Sequence, residues 1–511
     1  MDPLDPVRTL PADARRTSVA PTEVRRGSGP GRTLPQAVPA VAALTLGLWG
    51  IDRHNSMWRD ESVSYQVAHR SLGDLWGLLG NIDAVHGLYY LLMHAVFGLW
   101  DGGLVALRLP STLATALAAA GVAAIGARLA GRRAGTLAGL VFALLPMTQH
   151  YAQEGRSYAL VTAAVTWATY FLVRAMSASR ARWWTAYALT LALACWLHEF
   201  AVFALVAHGL TLCRLRVPRQ VWRRWGVAAL SAGLSLLPLV AVSAGQADEQ
   251  LTWLTRPSPS QWLQYAAIAV TGILLRQFLV RGPAAAQRGG ARELTALALP
   301  LLVVPAGLLM TLSYVRPWYV DRYVLYGMAG LALLVGAALS RAVGQRHRLP
   351  PVLQALTVCV AATAAVAVLL PWALLIRSPE SRKDDVVAVT HAVQRTAHHG
   401  DGVLFMPGRR REWLLSYPQV LHRLDDLALA ESPAASRTLQ GTELPADEIR
   451  RRILAQHRII ALSDPAGQPL DPFPREEVKR RTLGAYFEEC GRTRVHGARI
   501  TVYVRRGHCT Q

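Results

Sequence analysis

Between Ala37 and Ile376 the chain alternates long, evenly apolar runs with short polar breaks, a pattern without the one-sided periodicity of a soluble helix. A hydrocarbon core of about 30 Å is crossed by roughly 17 to 25 mostly apolar helical residues. By that measure about eleven spans are expected, at 37–51, 109–130, 134–148, 157–174, 183–197, 200–213, 226–243, 261–280, 294–312, 323–340 and 351–376. A further apolar stretch, His86 to Trp100, reads as a helix lying in the outer interface, where His, Tyr and Trp suit the boundary between hydrocarbon and water.

Beyond Arg377 the pattern becomes that of a soluble domain. S-R-K-D-D-V-V-A-V-T-H-A-V-Q-R predicts an amphipathic helix, G-V-L-F-M a short strand, A-D-E-I-R-R-R-I-L-A-Q a second helix and R-I-I-A-L-S a second strand. The final R-T-R-V-H-G-A-R-I-T-V-Y-V-R-R predicts a hairpin turning near His496-Gly497. Such alternation implies a small α/β domain over 378–511. Residues 1–35 are rich in Pro, Gly, Ser, Thr and Arg and lack an apolar run, which predicts a disordered basic tail without a secretory leader. The multi-spanning portion is then 36–377.

Composition agrees: 52% of the 511 residues are hydrophobic and 17% charged, which fits a polytopic α-helical membrane protein and not a large soluble enzyme. The net charge of +21 raises the question of a nucleic-acid partner, but the basic residues fall in clusters at 8–32, 132–133, 174–182, 214–224, 281–292 and 341–348, between spans. They read as topology signals that hold short loops on the cytoplasmic side. Threading the spans through these clusters closes without a parity error and puts the tail in the cytoplasm and the C-terminal domain outside the cell membrane. Treating His86–Trp100 as a crossing breaks that parity. Five cysteines include no CxxC pair, so a structural zinc site is not expected. Cys195, Cys213 and Cys359 read as small apolar residues; Cys490 and Cys509 flank the hairpin, and the sequence leaves open whether they pair or stay free.

With this topology the polar interruptions gather on the outer face. W-R-D-E (58 to 61) and D-A-V-H-G-L-Y-Y (83 to 90) fall in the first outer loop, Y-A-Q-E-G-R-S-Y (151 to 158) in the second, L-H-E-F (197 to 200) in the third and Y-V-R-P-W-Y-V-D-R-Y (314 to 323) in a later one. An Asp-Glu pair in a loop is ordinarily solvated surface, and an arginine at a helix end ordinarily an interfacial anchor. Ionisable groups at membrane depth are costly, however, and a functional site is their default reading. A carboxylate takes a proton from an attacking hydroxyl, while arginines and a histidine neutralise a departing phosphate. Together these describe group transfer from a phosphate-activated donor carried on a lipid.

The ordered set W-x-D-E, D-A-x-H-x-x-x-Y-Y, A-L-R-L-P-S (106 to 111) and Y-A-Q-E-G-R-S-Y-A-L (151 to 160) resembles the C-type (GT-C) integral-membrane glycosyltransferases. More narrowly it is similar to the family of protein O-mannosyltransferases and the lipid A aminoarabinose transferase. The resemblance covers roughly residues 36 to 340. It implies a polyprenyl-phosphate sugar donor, the sugar being mannose or another hexose, an extracytoplasmic protein, glycolipid or polysaccharide acceptor, and inversion at the anomeric carbon. Asp60 matches the family's first-loop aspartate, as base or acceptor-positioning group, with Glu61 as its partner in orienting substrate or a divalent metal. Relatives carry an acid just after the second-loop arginine, where this chain has Ser157-Tyr158; Glu154 is the nearest substitute. Arg156 and Arg322 match the donor-phosphate contacts, with His86, Tyr158 and Tyr323 as further substrate-binding residues. No nucleic-acid partner is implied. The rival reading is a transporter or flippase of a lipid-linked glycan, against which stand the lack of an internal repeat and the collection of charges at one face.

Overall fold

The computed structural model describes residues 34–178, 180–250, 254–281, 289–345 and 350–509. The expected tail up to residue 33, and the parts of the basic clusters at 282–288 and 346–349, lie outside the described residues.

Among the described residues seven helices are long and apolar enough to cross a membrane: Gly103–Ala130, Tyr158–Ser177, Arg219–Gln246, Pro259–Val280, Gly290–Leu312, Asp321–Gly344 and Ala355–Ile376. The other four expected spans coincide with shorter apolar helices, Leu34–Leu48, Arg132–Leu144, Ala181–Leu197 and Phe203–Leu215, of 13 to 17 residues. Small residues let the inner helices touch, since apolar surface alone drives no association in lipid. Gly131, at φ +94°, turns the chain from Gly103–Ala130 into Arg132–Leu144, and a Cβ on Gly135 would stand 2.4 Å from the Ala123 carbonyl oxygen. Buried polar side chains add directional links: His208 bonds Thr169 and Tyr187 at 3.0 Å each. The helices Pro259–Val280 and Ala355–Ile376 are mostly exposed, as lipid-facing helices are.

Between the first two spanning segments lie three short helices, Arg59–Ala68, Leu72–Asn81 and Gly87–Leu99. Gly87–Leu99 corresponds to the stretch read as interfacial; its 13 residues bury Tyr89, Tyr90, Met93 and Phe97.

The C-terminal chain forms a five-stranded sheet of order β2-β1-β5-β7-β6, with β1 Gly402–Met406, β2 Asp425–Asp426, β5 Arg458–Ser463, β6 Phe487–Val495 and β7 Ala498–Arg505. A separate two-stranded ribbon pairs β3, Leu429–Glu431, with β4, Thr442–Glu443. β1 runs parallel to β2 and β5, whereas β5, β7 and β6 are antiparallel, the last two joined by the expected turn at His496-Gly497. Cys490 and Cys509 are joined as a disulfide with Cα atoms 5.6 Å apart. The first amphipathic helix begins at Val386, later than its charged lead-in suggested, because the Asp385 side chain caps it by accepting from the Val387 and Ala388 amides. The helix Pro474–Tyr486 was not anticipated: its buried residues include Glu476 and Lys479, an ion pair, so it lacks the apolar stripe that announces a helix.

The three short helices and the sheet share one core. Val67, Leu75, Tyr90 and Met93 cluster with Val386, Phe405, Trp413 and Ile460. Residues 35–511 accordingly form one unit, with the C-terminal sheet seated on these short helices.

Candidate functional site

The helix Arg59–Ala68 starts after Trp58, whose extended backbone (φ −95°, ψ 165°) sets its entry, and places Asp60 and Glu61 in its first turn, where carboxylates oppose the positive end of the helix dipole. Helical geometry rotates neighbours by about 100°, so the two acids point to different surroundings.

Glu61 is fully buried. Its Oε1 accepts from Arg108 Nε at 2.7 Å and from the Gly155 amide at 2.9 Å, and its Oε2 from Arg108 Nη2 at 2.7 Å and Arg53 Nη1 at 3.3 Å. Burial pushes this carboxyl upward, but Arg108 and Arg53 overcome it and hold it below the usual carboxylate range. Arg53, His54 and Asn55 occupy left-handed backbone at φ 51° to 54°, and Arg53 secures that turn by donating to the Gln153 carbonyl. Glu61 thus joins the loop around Arg53 to the one carrying Gly155.

Asp60 faces a cavity of about 630 Å³ lined also by Trp58, His86, Arg156, Arg322 and Glu412. Its Oδ2 lies 3.2 Å from Arg322 Nη2. Arg322 donates from Nε to the Tyr158 hydroxyl at 3.1 Å and sits 5.4 to 5.8 Å from the ring centres of Trp58, Tyr158 and Tyr323. Across the cavity Arg156 donates to His86 Nε2 at 2.8 Å, to Ser64 Oγ at 3.3 Å and to the Tyr90 hydroxyl at 3.4 Å. Tyr90 in turn donates to Asp83. Among the described residues no carboxylate lies within 4 Å of Arg156, although it is only 7% exposed. An arginine only donates, so His86 Nε2 accepts and its proton is assigned to Nδ1. Burial and then Arg156 push His86 well below its ordinary range, and burial with the same arginine takes His198 down to about 3.

Four buried nitrogens that line this cavity have no hydrogen-bond partner among the described residues: Trp58 Nε1, His86 Nδ1, Arg156 Nε and His198 Nδ1. Unmet buried donors each cost about 1–3 kcal/mol. All four belong to residues of the cavity wall.

The structure therefore brings Asp60, His86, Arg156, Arg322 and Tyr323 to one cavity, with Tyr158 behind Arg322. It does not bring Glu61 or Glu154 there. Glu154 is buried beside Arg382 Nε at 3.5 Å and His150 Nε2 at 3.7 Å, tying the second loop to the start of the C-terminal domain. Burial pushes its carboxyl upward against Arg382.

The opposite wall comes from residues that motif reasoning did not single out, Lys383, Arg410 and Glu412. They reach the cavity because the C-terminal chain is clamped to the Asp60 helix: Arg59 N donates to Asp384 Oδ1 at 2.9 Å, Val386 N to the Met57 carbonyl at 2.6 Å, and Ser62 Oγ to the Glu412 carbonyl at 2.8 Å. Glu412 lies 3.1 Å from Arg410 Nη1, yet burial outweighs that arginine and pushes its carboxyl up to about 7. The run R-R-R-E-W was its one sequence signal. No three metal-ligating side chains converge at the cavity among the described residues; the group that does, Glu488 with Cys490 and Cys509, includes the disulfide sulfurs.

Residues 87–244 match the family described as dolichyl-phosphate-mannose-protein mannosyltransferase. In fold the chain is similar to ArnT from Cupriavidus metallidurans in the apo state, at 13% identity and TM-score 0.58, over 91% of this chain and 97% of that one. Bound to undecaprenyl phosphate, the same protein is similar at TM-score 0.52, with 13% identity and coverages of 91% and 97%. No curated protein matches the chain. The fold is thus similar to that of ArnT, and residues 87–244 resemble the mannosyltransferase family, in line with the resemblance carried by the loop motifs.

Two adjacent substitutions separate structure from chemistry. Glu61→Gln, which leaves buried arginines uncompensated, is expected to lower unfolding free energy by about 3–5 kcal/mol. Asp60→Asn should change it by no more than about 1 kcal/mol; thermal unfolding of the two variants in detergent measures the contrast. The folded-state depression of Glu61 makes its contribution fully present above the ordinary carboxylate range and lost as pH falls below it. For Glu412, the infrared band of a protonated carboxyl should be present at pH 6 and fade as pH rises through about 7, and be absent in Glu412→Gln.

Proposed function

We propose that this protein transfers a sugar, mannose or another hexose, from a polyprenyl-phosphate donor to an extracytoplasmic acceptor hydroxyl, with inversion. The observation that carries the reading is Arg156, a buried guanidinium that lines the chamber Asp60 faces and has no carboxylate within 4 Å among the described residues. A buried unpaired cation is costly unless an anionic ligand completes it.

In this mechanism the donor phosphate binds Arg156 and draws Arg322 from its 3.2 Å pair with Asp60. Asp60 is then free to accept the proton of the acceptor hydroxyl as its oxygen bonds to the anomeric carbon. The bond from that carbon to the phosphate oxygen breaks, its electron pair stays on the phosphate, and the arginines stabilise the leaving polyprenyl phosphate. His86 and His198, neutral, offer hydrogen bonds without adding charge. Glu61 positions Asp60 and the second loop through Arg108 and Gly155. Glu154 does the same for the junction with Arg382.

The orientation follows the positive clusters, with the chamber and residues 378–511 outside the cell membrane and the tail in the cytoplasm. In a background lacking Cys213 and Cys359, cysteine at Ser432 should label with an impermeant maleimide in intact cells, and cysteine at Ser177 only after lysis. The opposite pattern reverses the topology.

Release of free polyprenyl phosphate from a panel of polyprenyl-phosphate sugars, with crude envelope as acceptor, tests the chemistry. One sugar should support release, Asp60→Asn should slow it by about 10²–10⁴-fold, and Arg156→Ala by about 10²–10³-fold. Folded protein that binds these lipids and releases none would favour the transporter.

A further inference from the structure

A second cavity, of about 760 Å³, opens in the C-terminal domain and is lined by Gly408, Arg409, Thr442, Asp471, Phe473 and Glu476 among others. It shares Arg409, Gln440, Asp471 and Phe473 with the Asp60 chamber, so the two adjoin across a common wall. Its position follows from the sheet. Parallel strands β1 and β5 end at Met406 and Ser463, and the chain leaving β1 at Pro407 forms the cavity wall. The crevice beyond the carboxyl ends of parallel strands is where open α/β sheets bind ligands.

The lining differs from that of the Asp60 chamber in its charge. Three arginines, Arg409, Arg411 and Arg475, face three carboxylates, Glu443, Asp471 and Glu476. Arg409 pairs with Asp471 at 2.6 Å and Arg411 with Glu443 at 3.2 Å, while buried Lys479 lies 2.9 Å from both Glu443 and Glu476. Arg475 has no ion pair among the described residues, but it is exposed to solvent and not buried as Arg156 is, so it gives a phosphorylated headgroup little special claim here. Two groups are nonetheless left unfinished. Glu476 is 4% exposed, and its Oε2 has no hydrogen-bond partner among the described residues although its Oε1 accepts from the Gly408 amide at 2.8 Å. Phe473 leaves 64% of its surface exposed on a wall common to both compartments. An unmet carboxylate oxygen seeks a hydroxyl, and an exposed ring seeks an apolar face. A sugar ring offers both on one rigid body.

We propose that this second cavity is the acceptor subsite and takes a neutral glycan chain, whose terminal sugar reaches past the common wall to Asp60. The assignment rests on the transferase reading, and its test separates the two. Full-length protein in detergent is titrated with neutral manno-, galacto- and arabino-oligosaccharides, read by saturation-transfer NMR, and independently with undecaprenyl phosphate.

At least one oligosaccharide should bind, with affinity reduced about ten-fold or more in Phe473→Ala and Glu476→Gln, a loss of the size one buried contact supplies. Should Glu476→Gln fold poorly because Lys479 loses its partner, the exposed Phe473 variant decides. The proposal is overturned if no oligosaccharide binds to protein that still binds undecaprenyl phosphate. It is equally overturned if binding ignores both substitutions, or if a serine/threonine peptide or a phosphorylated glycan displaces the neutral one. Oligosaccharide binding without any undecaprenyl phosphate binding would support the subsite and count against the donor assignment instead.

Discussion

The buried carboxylate of Glu61 is the point on which the rest of the site depends. It receives Arg108 on both oxygens, Arg53 on one and the Gly155 amide on the other. Gly155 precedes Arg156, and Glu61 follows Asp60, so one acidic side chain sets the spacing between the two groups that face each other across the cavity. Charges taken out of water are costly, and a buried ion pair often adds little net stability over an apolar equivalent. Its value here lies in geometry: guanidinium and carboxylate fit each other in a planar, bidentate arrangement that admits few alternatives.

The same low-dielectric setting separates scaffold from site. Several polar groups that hold loops together are well supplied with partners, as with Arg108, Ser62 and Asp385 at its helix cap, although Arg53 Nε, Glu154 and Arg382 Nε keep unmet atoms of their own. Around the cavity the accounts are left open, by Trp58, His86, Arg156 and His198. Arg322 stands between these states, paired with Asp60 yet held among aromatic rings that tolerate its movement. A ligand phosphate would complete the open groups and compete for Arg322 at once.

The sequence made the membrane architecture legible because hydrocarbon thickness imposes a length on apolar runs, and Asp60, Arg156 and Arg322 stood out because charge interrupts those runs. The role of Glu61 was hidden, since adjacency in sequence says nothing of the different directions that adjacent helical residues take. Glu154 looked like a replacement for a missing acid, but a loop motif does not reveal that Arg382, far along the chain, waits beside it. Glu412 was unreadable for the same reason: it approaches Asp60 only through the clamp of Asp384 and Ser62. Strands β1, β5, β6 and β7 of the C-terminal sheet were plain from their apolar and alternating runs, whereas β2, β3 and β4, two or three residues each, are too short to show a pattern, and Pro474–Tyr486 buries charge where an apolar stripe would have marked it.

The clamp also couples distant parts of the chain. Asp384 and Asp385 hold the Asp60 helix, and the Asp385 amide donates to the His496 carbonyl, at the turn of the last hairpin. β7, the second strand of that hairpin, pairs with β5 from Arg458 to Ser463. A disturbance of the hairpin, more than 400 residues from Asp60 in sequence, is therefore passed to the Asp60 helix through a short series of hydrogen bonds.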